Sequence, residues 1–177
     1  MTSDWENLTR AKHGDETAWK DLSCSHQKRL IKMAMLITGS VAAAKDIVQE
    51  TFLYLVKSTT RHQSGSFKAY ITTIAYHLAL KEKKRLHSVT ELGETDLSEQ
   101  SPQPLETVLL TERDLHIAKT INSLSDDHRN VLILRFYGDH SYEDIAEITK
   151  QPIGTVKSRI FYAVKKCREV LKQKGII

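Results

Sequence analysis

The sequence predicts an all-α protein, made of two small helical domains joined by a flexible acidic linker. Apolar residues recur three and four positions apart through residues 1–86 and again through 114–177, which is the spacing of amphipathic helices. No stretch alternates apolar and polar residues as a half-buried strand would. Residues 87–113 lack helical periodicity and contain two of the three prolines, so we expect them to connect the two domains.

Capping residues and glycines divide the first domain into four predicted helices. Ser3 and Glu6 form the pattern of a capping box, in which each side chain satisfies a backbone N–H of the other residue. The helices expected are one from Ser3 to Gly14, one that ends at Gly39, one from Ser40 to about Lys57 and one from Phe67 to Arg85. A loop rich in Ser, Thr and Gly is expected at 58–66.

The second domain is also predicted to consist of four helices. Ser125 is expected to cap one of them, and Ser141 with Asp144 repeats the capping-box pattern. The helices expected are one that leads to Leu124, one from Ser125 to Gly138, a short one after Ser141 and a long one from about Thr155 to Lys172.

Residues 141–167 have the layout of a helix-turn-helix, with a short helix, a tight turn and a longer basic helix. The stripe of the long helix expected to be buried comprises Val156, Ile160, Ala163, Cys167 and Leu171. The side chains left outside are Lys157, Ser158, Phe161, Tyr162 and Lys165. Exposed aromatic rings beside lysine indicate a partner surface, although an ordinary amphipathic helix with a wide apolar face is the alternative.

Each outward residue suits a specific part of a DNA duplex. In a major groove, Lys157 could meet guanine acceptors, Ser158 either type of base, and Phe161 a thymine methyl group. Arg159 and Lys165 are better placed for phosphates, which fix the register of the protein on DNA. Thr155, at the start of the helix, could hold a further phosphate.

Charge is distributed unevenly along the chain. Residues 1–88 carry 14 Lys and Arg against 8 acids, and residues 89–112 carry 6 acids and no base. Residues 150–177 carry 8 basic residues and a single acid, Glu169. Two basic ends around an acidic middle indicate two surfaces that bind polyanions, although a charge run can also be a solvated face.

Bulk features exclude several classes of protein. No apolar run approaches the roughly 18 residues of a membrane span, and the first residues lack the apolar core of a signal peptide. We therefore expect a cytoplasmic protein without membrane insertion. Cys24 and Cys167 lie in no metal-ligand spacing and are expected to be free thiols. No metal, cofactor or small-molecule substrate is expected.

The helix 41–57 has a second face besides its apolar stripe. Asp46, Gln49, Glu50 and Leu53 share that face, which suits a protein partner with basic residues and a small apolar pocket. A solvated face is the alternative from these residues alone.

Two sets of motifs resemble one family. Residues 124–132 (LSDDHRNVL), 141–146 (SYEDIA) and 152–160 (PIGTVKSRI) are similar to region 4 of extracytoplasmic-function (ECF) sigma factors, and 46–52 (DIVQETF) resembles the D-x-x-Q-E-x-F signature of region 2. The motifs occur in the order and at the distance typical of the family.

The resemblance implies a non-enzymatic factor that directs core RNA polymerase to promoter DNA, with a role in stress responses. It makes 1–86 region 2 and 114–177 region 4, joined by the linker 87–113. For the −35 element it implies base reading by Lys157, Ser158, Phe161 and Tyr162 and a backbone contact by Arg159, to which the helix position adds Thr155 and Lys165 as candidates. For the polymerase it implies Asp46, Gln49, Glu50 and Leu53. It also implies an anti-sigma factor as a partner.

Capture of the single-stranded −10 element is assigned by the same resemblance to the loop 58–66 and the following helix. A basic groove with aromatic faces suits unstacked bases. The candidates are Lys57, Arg61, His62, Ser64, Ser66, Phe67, Tyr70, Tyr76, His77, Lys81 and Lys84. Phe67 and Tyr70 could instead belong to the core.

Four positions depart from the family pattern. Tyr70 and Val56 stand where tryptophan is frequent, and Tyr76-His77 stand where Arg-Asn is common. We therefore expect a divergent −10 preference.

Other classes of function are less consistent with the sequence. A response regulator needs alternating strands and helices, which residues 1–86 do not offer. A one-component repressor or activator would bind DNA without polymerase, and a gel shift with and without core enzyme separates these cases. No phosphate-binding, zinc-hydrolase or nucleophile-elbow motif of an enzyme occurs. A fragment that only bridges proteins would not explain Phe161 in a basic helix.

Overall fold

A computed structural model describes residues 3–59, 66–91 and 112–177 of the chain. These residues form eight α-helices and no strand, which confirms the all-α prediction. The helices are α1 (Asp4–Lys12), α2 (Glu16–Thr38), α3 (Val41–Lys57), α4 (Phe67–Glu91), α5 (Glu112–Asn122), α6 (Asp126–Gly138), α7 (Tyr142–Thr149) and α8 (Ile153–Gln173). The chain divides into two compact units, Met1–Lys83 and Lys84–Ile177, and the division falls within α4.

The first unit is a helical bundle built around α2 and α3. These two helices pack along each other, and α1 lies against both. The largest fully buried side chains of this unit come from α2, α3 and α4, and include Leu22, Leu30, Met33, Leu55 and Ile71. Thr51 and Thr72 are also fully buried, and each hydroxyl donates to the carbonyl four residues earlier, so no donor is left unpaired.

The second unit forms around α8, against which α5, α6 and α7 all pack. Its fully buried side chains include Val131, Ile133, Leu134, Ile145 and Val156. The buried stripe predicted for the long helix is confirmed at Val156, Ile160 and Ala163, whereas Cys167 and Leu171 are only half-buried. α8 therefore rests on the other helices through its first half, and its basic outer face is left to solvent.

Most of the predicted caps are present. Both capping boxes form, at Ser3 with Glu6 and at Ser141 with Asp144. Ser40 caps α3, and Gly39 ends α2 in the left-handed region at φ 73°.

The predicted end of α4 and the predicted start of α8 differ from the structure. α4 continues beyond Arg85 to Glu91, because the residues between them include no glycine or proline that would stop a helix. The predicted end of α6 at Gly138 is confirmed, and the next residue, Asp139, takes the left-handed C-cap conformation at φ 59°. α8 begins at Ile153, before Thr155, since Pro152 is its N-cap.

Ser125 stands at the N-cap of α6 but makes no capping hydrogen bond to the backbone. Its hydroxyl lies 2.8 Å from Nδ1 of His128, which takes the place of the predicted cap. The predicted linker lies mostly outside the described residues, at 92–111.

Candidate nucleic-acid interface

The turn between α7 and α8, together with the cap of α7, orients the outer face of α8. Lys150 turns the chain between the helices in the left-handed region at φ 55°, and its N–H donates back to the carbonyls of Ala146 and Glu147. Asp144 accepts two bonds from Ser141, from the side chain and the backbone, and these hold its pKa below the ordinary value of a carboxyl. The turn and the cap fix the direction in which α8 leaves α7.

Two exposed aromatic rings project from α8. Phe161 is 64% exposed and Tyr162 is 59% exposed, and the rings meet edge to face with their centroids 5.4 Å apart. Lys157, Ser158 and Lys165 are also exposed. The predicted outward face is thus accessible as a continuous aromatic and basic surface.

Tyr142 of α7 supports Lys157 in a way that the sequence pattern does not reveal. The Lys157 ammonium lies 5.8 Å from the centroid of the Tyr142 ring, and the Arg135 guanidinium lies 5.2 Å from the same centroid. Such cation–π contacts reach about 6 Å. The sequence shows a tyrosine at the start of a helix with a capping box. It does not show the contact, because Arg135 and Lys157 are several residues away from Tyr142 along the chain.

Thr155, Ser158 and Arg159 are less available for contacts with DNA than the sequence indicates. The Ser158 hydroxyl donates to the carbonyl of Thr155 at 2.9 Å, and Thr155 itself is half-buried. Arg159 donates from Nη2 to Oδ2 of Asp127 at 2.7 Å. This ion pair was not predicted, and it occupies one of the candidate phosphate contacts.

The outer face of α3 is accessible as predicted. Asp46, Gln49 and Glu50 are exposed, and Leu53 is 49% exposed among them. Tyr54 and Val56 are exposed on the same helix and extend the apolar part of this surface. Tyr54 was not among the predicted contacts, although its position outside the buried stripe of α3 indicates that it is exposed.

Two of the −10 candidates are buried in this structure. Phe67 is 4% exposed and packs edge to face on Trp5, with the ring centroids 5.1 Å apart. Tyr76 is 3% exposed. The expectation that these two rings present a face to unstacked bases is therefore corrected: both belong to the core, as was considered for Phe67.

The other −10 candidates differ in their exposure. Tyr70 is half-buried against Trp5, at 5.3 Å between centroids. Ser66 is exposed, and its oxygen accepts from the Ala69 N–H at 3.4 Å at the start of α4. Lys57, His77, Lys81 and Lys84 are exposed. Arg61, His62 and Ser64 lie outside the described residues.

A buried polar network lies beneath the start of α4. His26 is 6% exposed, and its Nε2 lies 2.8 Å from Oδ2 of Asp4. Arg29 donates to Thr72 Oγ1 at 2.7 Å and lies 3.3 Å from Nδ1 of His26. Burial lowers the pKa of His26, and the neighbouring Asp4 carboxylate only partly opposes this effect. Since the Arg29 guanidinium can only donate, Nδ1 of His26 is the acceptor and Nε2 donates to the Asp4 carboxylate.

The second unit contains an apolar groove that the sequence pattern did not predict. It has a volume of about 350 Å³ and is lined mainly by side chains of α5, α6 and α8, among them Ile117, Ile121, Leu132, Phe136, Val164 and Leu171. Phe136 at its edge is 61% exposed. Phe136 lies outside the buried run of α6, and this position in the sequence would have indicated that its ring is exposed.

Within the described ranges, no helix is both long and apolar enough to cross a membrane. The same residues contain no group of three or more His, Cys, Asp or Glu side chains arranged to hold a metal ion.

Family models match both parts of the chain. The model of sigma-70 region 2 matches residues 24–88, and the model of sigma-70 region 4 matches residues 120–169. The second match contains α6, α7 and most of α8, including the aromatic pair.

Curated relatives extend over nearly the whole chain. The ECF RNA polymerase sigma factor SigL of Mycobacterium tuberculosis is 33% identical over 160 residues, which cover 85% of this chain and 87% of SigL. The RNA polymerase sigma-H factor of Pseudomonas aeruginosa is 26% identical over 172 residues, which cover 90% of this chain and 89% of that protein.

Solved structures have the same fold. The sigma factor RpoE from Bartonella quintana, in complex with the anti-sigma factor NepR, is similar with a TM-score of 0.66 and 26% identity, over 87% of this chain and 96% of RpoE. CnrH, in complex with the cytosolic domain of CnrY, has a TM-score of 0.63 at 20% identity, over 97% and 99% of the two chains. The resemblance inferred from the motifs is confirmed: this chain belongs to the extracytoplasmic-function family of RNA polymerase sigma factors, which direct the polymerase to specific promoters.

Proposed function

We propose that 114–177, as region 4, reads the −35 element through the outer face of α8. The observation that carries this proposal is the exposed pair Phe161 and Tyr162 beside Lys157 on a basic helix. Two large exposed rings cost free energy in water unless a partner covers them. The residues proposed to contact DNA are Thr155, Lys157, Ser158, Arg159, Phe161, Tyr162 and Lys165.

These residues divide into base readers and phosphate contacts. Lys157 and Ser158 can bond base edges, and the Phe161 ring can pack on a thymine methyl group. Lys165 is an exposed cation suited to a phosphate. Arg159 reaches a phosphate only by exchanging its bond to Asp127, so its contribution to affinity is smaller than that of a free arginine.

We propose that 1–86, as region 2, captures the −10 element along α4 and the segment before it. The basic and polar residues available among those described are Lys57, Ser66, His77, Lys81 and Lys84, with Tyr70 half-exposed. Arg61, His62 and Ser64 remain predicted contacts from the sequence. Phe67 and Tyr76 act as supports for this surface, because their rings are buried.

The polymerase is proposed to bind the outer face of α3. Asp46, Gln49 and Glu50 offer acceptors to basic residues of a partner, and Leu53 offers an apolar contact at the centre. The linker 87–113 joins this unit to region 4, and its run of six acids without a base would suit a positively charged channel of the polymerase built to hold nucleic acid.

An anti-sigma factor is proposed as a further partner, and the cytoplasm as the location. The solved relatives were complexes with NepR and with the cytosolic domain of CnrY. The apolar groove of the second unit, with Phe136 at its edge, would bury apolar side chains of such an inhibitor.

Permanganate footprinting tests whether one unit opens the −10 element while the other recognises the −35 element. On a promoter selected by the holoenzyme, unpaired thymines should appear at the −10 element only when this protein and core polymerase are both present. A scrambled −35 element should reduce occupancy without moving the opened region. Thymines opened by this protein alone, or opening that ignores the −10 sequence, would contradict the proposal.

A further inference from the structure

Helix α1 contacts the chain on both sides of the segment that leads from α3 to α4. α1 lies before residues 24–88, which the region 2 model matches, so the family match assigns it no role. Its N-terminal end touches the start of α4, and its C-terminal end touches the end of α3.

At the α4 end, the contact is aromatic and buried. The Trp5 ring is 6% exposed and packs on Phe67 and Tyr70, with centroids 5.1 and 5.3 Å away. The Asp4 carboxylate next to it accepts from buried His26, whose ring lies 5.3 Å from that of Phe67. The first turn of α4 is therefore held by α1 directly and through α2.

At the α3 end, the contact is polar and charged. Lys12 Nζ donates to the Ser58 carbonyl at 2.7 Å and to the Ser58 hydroxyl at 3.3 Å. Ser58 is the C-cap of α3, and its N–H bonds to the carbonyl of Tyr54. An ammonium is a good partner for carbonyls at a helix C-terminus because the helix dipole is negative there. Partial removal of the Lys12 ammonium from water lowers its pKa.

We propose that α1 is a positioning element for −10 recognition, and that Lys12 and Trp5 fix the end of α3 relative to the start of α4. The inference rests on the proposed −10 role of the residues that flank this junction. Trp5 and Lys12 are seven positions apart in one helix, a rise of about 10 Å. A rigid helix thus sets the separation of two points that lie nine residues apart in sequence, a span that could reach about 30 Å if extended.

The physical consequence is preorganisation. Single-stranded bases are held by rings and cations at fixed spacing, and a displacement of about 1 Å in a supporting element weakens such recognition. Without Lys12, the end of α3 carrying Lys57 loses its bond to α1, and Lys57 can move relative to Ser66 and Tyr70. Discrimination between −10 sequences should then suffer more than binding to polymerase.

The experiment compares variants of the full chain assembled with core polymerase. Lys12→Met removes the donor and keeps the aliphatic stem, and Lys12→Arg restores a cationic donor. Arg10→Met is the matched control, since Arg10 is a cation of the same helix that pairs with Asp15 instead. Each holoenzyme transcribes a promoter library randomised at the −10 positions with a fixed −35 element, and a second library with the reverse arrangement. Core affinity and thermal unfolding are measured in parallel.

The expected result is that Lys12→Met lowers −10 discrimination by about fivefold or more. Lys12→Arg should keep most of it and Arg10→Met all of it, while −35 discrimination and core affinity stay within about twofold for every variant. The inference is overturned if Lys12→Met keeps −10 discrimination, or if it lowers −10 and −35 discrimination and core affinity together.

A double variant separates this inference from the proposal on which it rests. His77→Ala with Lys81→Ala removes two exposed candidates further along α4 than Phe67 and Tyr70, on which Trp5 packs. If this variant leaves −10 discrimination unchanged, the −10 assignment of α4 fails. If it lowers discrimination and Lys12→Met does not, the assignment stands and the positioning role of α1 is wrong.

Discussion

Arg159 and Asp127 form an ion pair that joins the recognition helix α8 to the first turn of α6. Nη2 of Arg159 donates to Oδ2 of Asp127 at 2.7 Å, and the side chains are 24% and 64% exposed. An exposed pair of this kind contributes only about 0–1 kcal/mol, so a DNA phosphate can replace the carboxylate at little cost. Under the proposed contact of Arg159 with the −35 element, Asp127 would compete with DNA for the same guanidinium.

We predict that Asp127→Asn increases the affinity of the holoenzyme for promoter DNA by about two- to fivefold, because Arg159 is released and a negative charge is removed. Fluorescence anisotropy at several salt concentrations measures this change. Asp126→Asn is the matched control, since Asp126 pairs with Arg129 and not with Arg159. Equal effects of the two variants, or a weaker complex with Asp127→Asn, would show that no competition exists.

Lys157→Ala and Phe161→Ala should each weaken recognition of the −35 element by about 1–3 kcal/mol, because each removes a proposed base contact. Transcription from promoters with an intact or an altered −35 element gives the discrimination of each variant. Phe136→Ala is the control, since Phe136 is similarly exposed and belongs to another helix. If Phe161→Ala discriminates as well as the parent protein does, the exposed ring is not a base reader.

Gln49→Ala combined with Glu50→Ala should weaken binding to core polymerase by about tenfold while region 4 still recognises DNA, because only the α3 face is altered. A polymerase pull-down titrated with core enzyme measures the first effect. Glu16→Ala with Gln27→Ala removes the same two types of side chain from exposed positions of α2 and should have no effect. An undiminished pull-down with the α3 variant would mean that this face is merely solvated.

Stability should fall as the pH drops below about 6.5, the ordinary pKa of histidine. Burial, followed by the charges of Arg29 and Lys68, lowers the pKa of His26 in the folded state, and Asp4 opposes this shift. The unfolded chain therefore binds the proton more readily, and the stabilisation present above this pH is lost as the pH falls towards the folded pKa.

Thermal unfolding between pH 7.5 and 5.0 measures this dependence. His26→Gln should unfold with a flatter pH profile over this range, because it removes the titrating group while keeping a side chain that can donate to Asp4. Parallel profiles for the two proteins would rule out His26 as the source of the dependence.

The sequence predicted the helices and their outward faces well, because both follow from local periodicity. α3 begins and ends where its capping serine and the following loop indicated, and the outer face of α8 is exposed as its stripe required. These properties depend on neighbours three and four positions away along the chain, so the sequence alone is enough to predict them.

Contacts between helices could not be predicted in the same way. Phe67 is buried because Trp5, far away in sequence, covers it, and no periodicity within α4 reveals that neighbour. The same is true of the bond between Arg159 and Asp127 and of the ring of Tyr142 beneath Lys157. α4 also extended past its predicted end, since a run of charged residues marks a helix terminus less reliably than glycine or proline does.

Run-off transcription with purified core polymerase on a randomised promoter library tests the central claim most directly. The account predicts that this protein forms a holoenzyme and initiates at templates that share two short elements a fixed distance apart. Failure to associate with core enzyme, together with no initiation from any template, would contradict it.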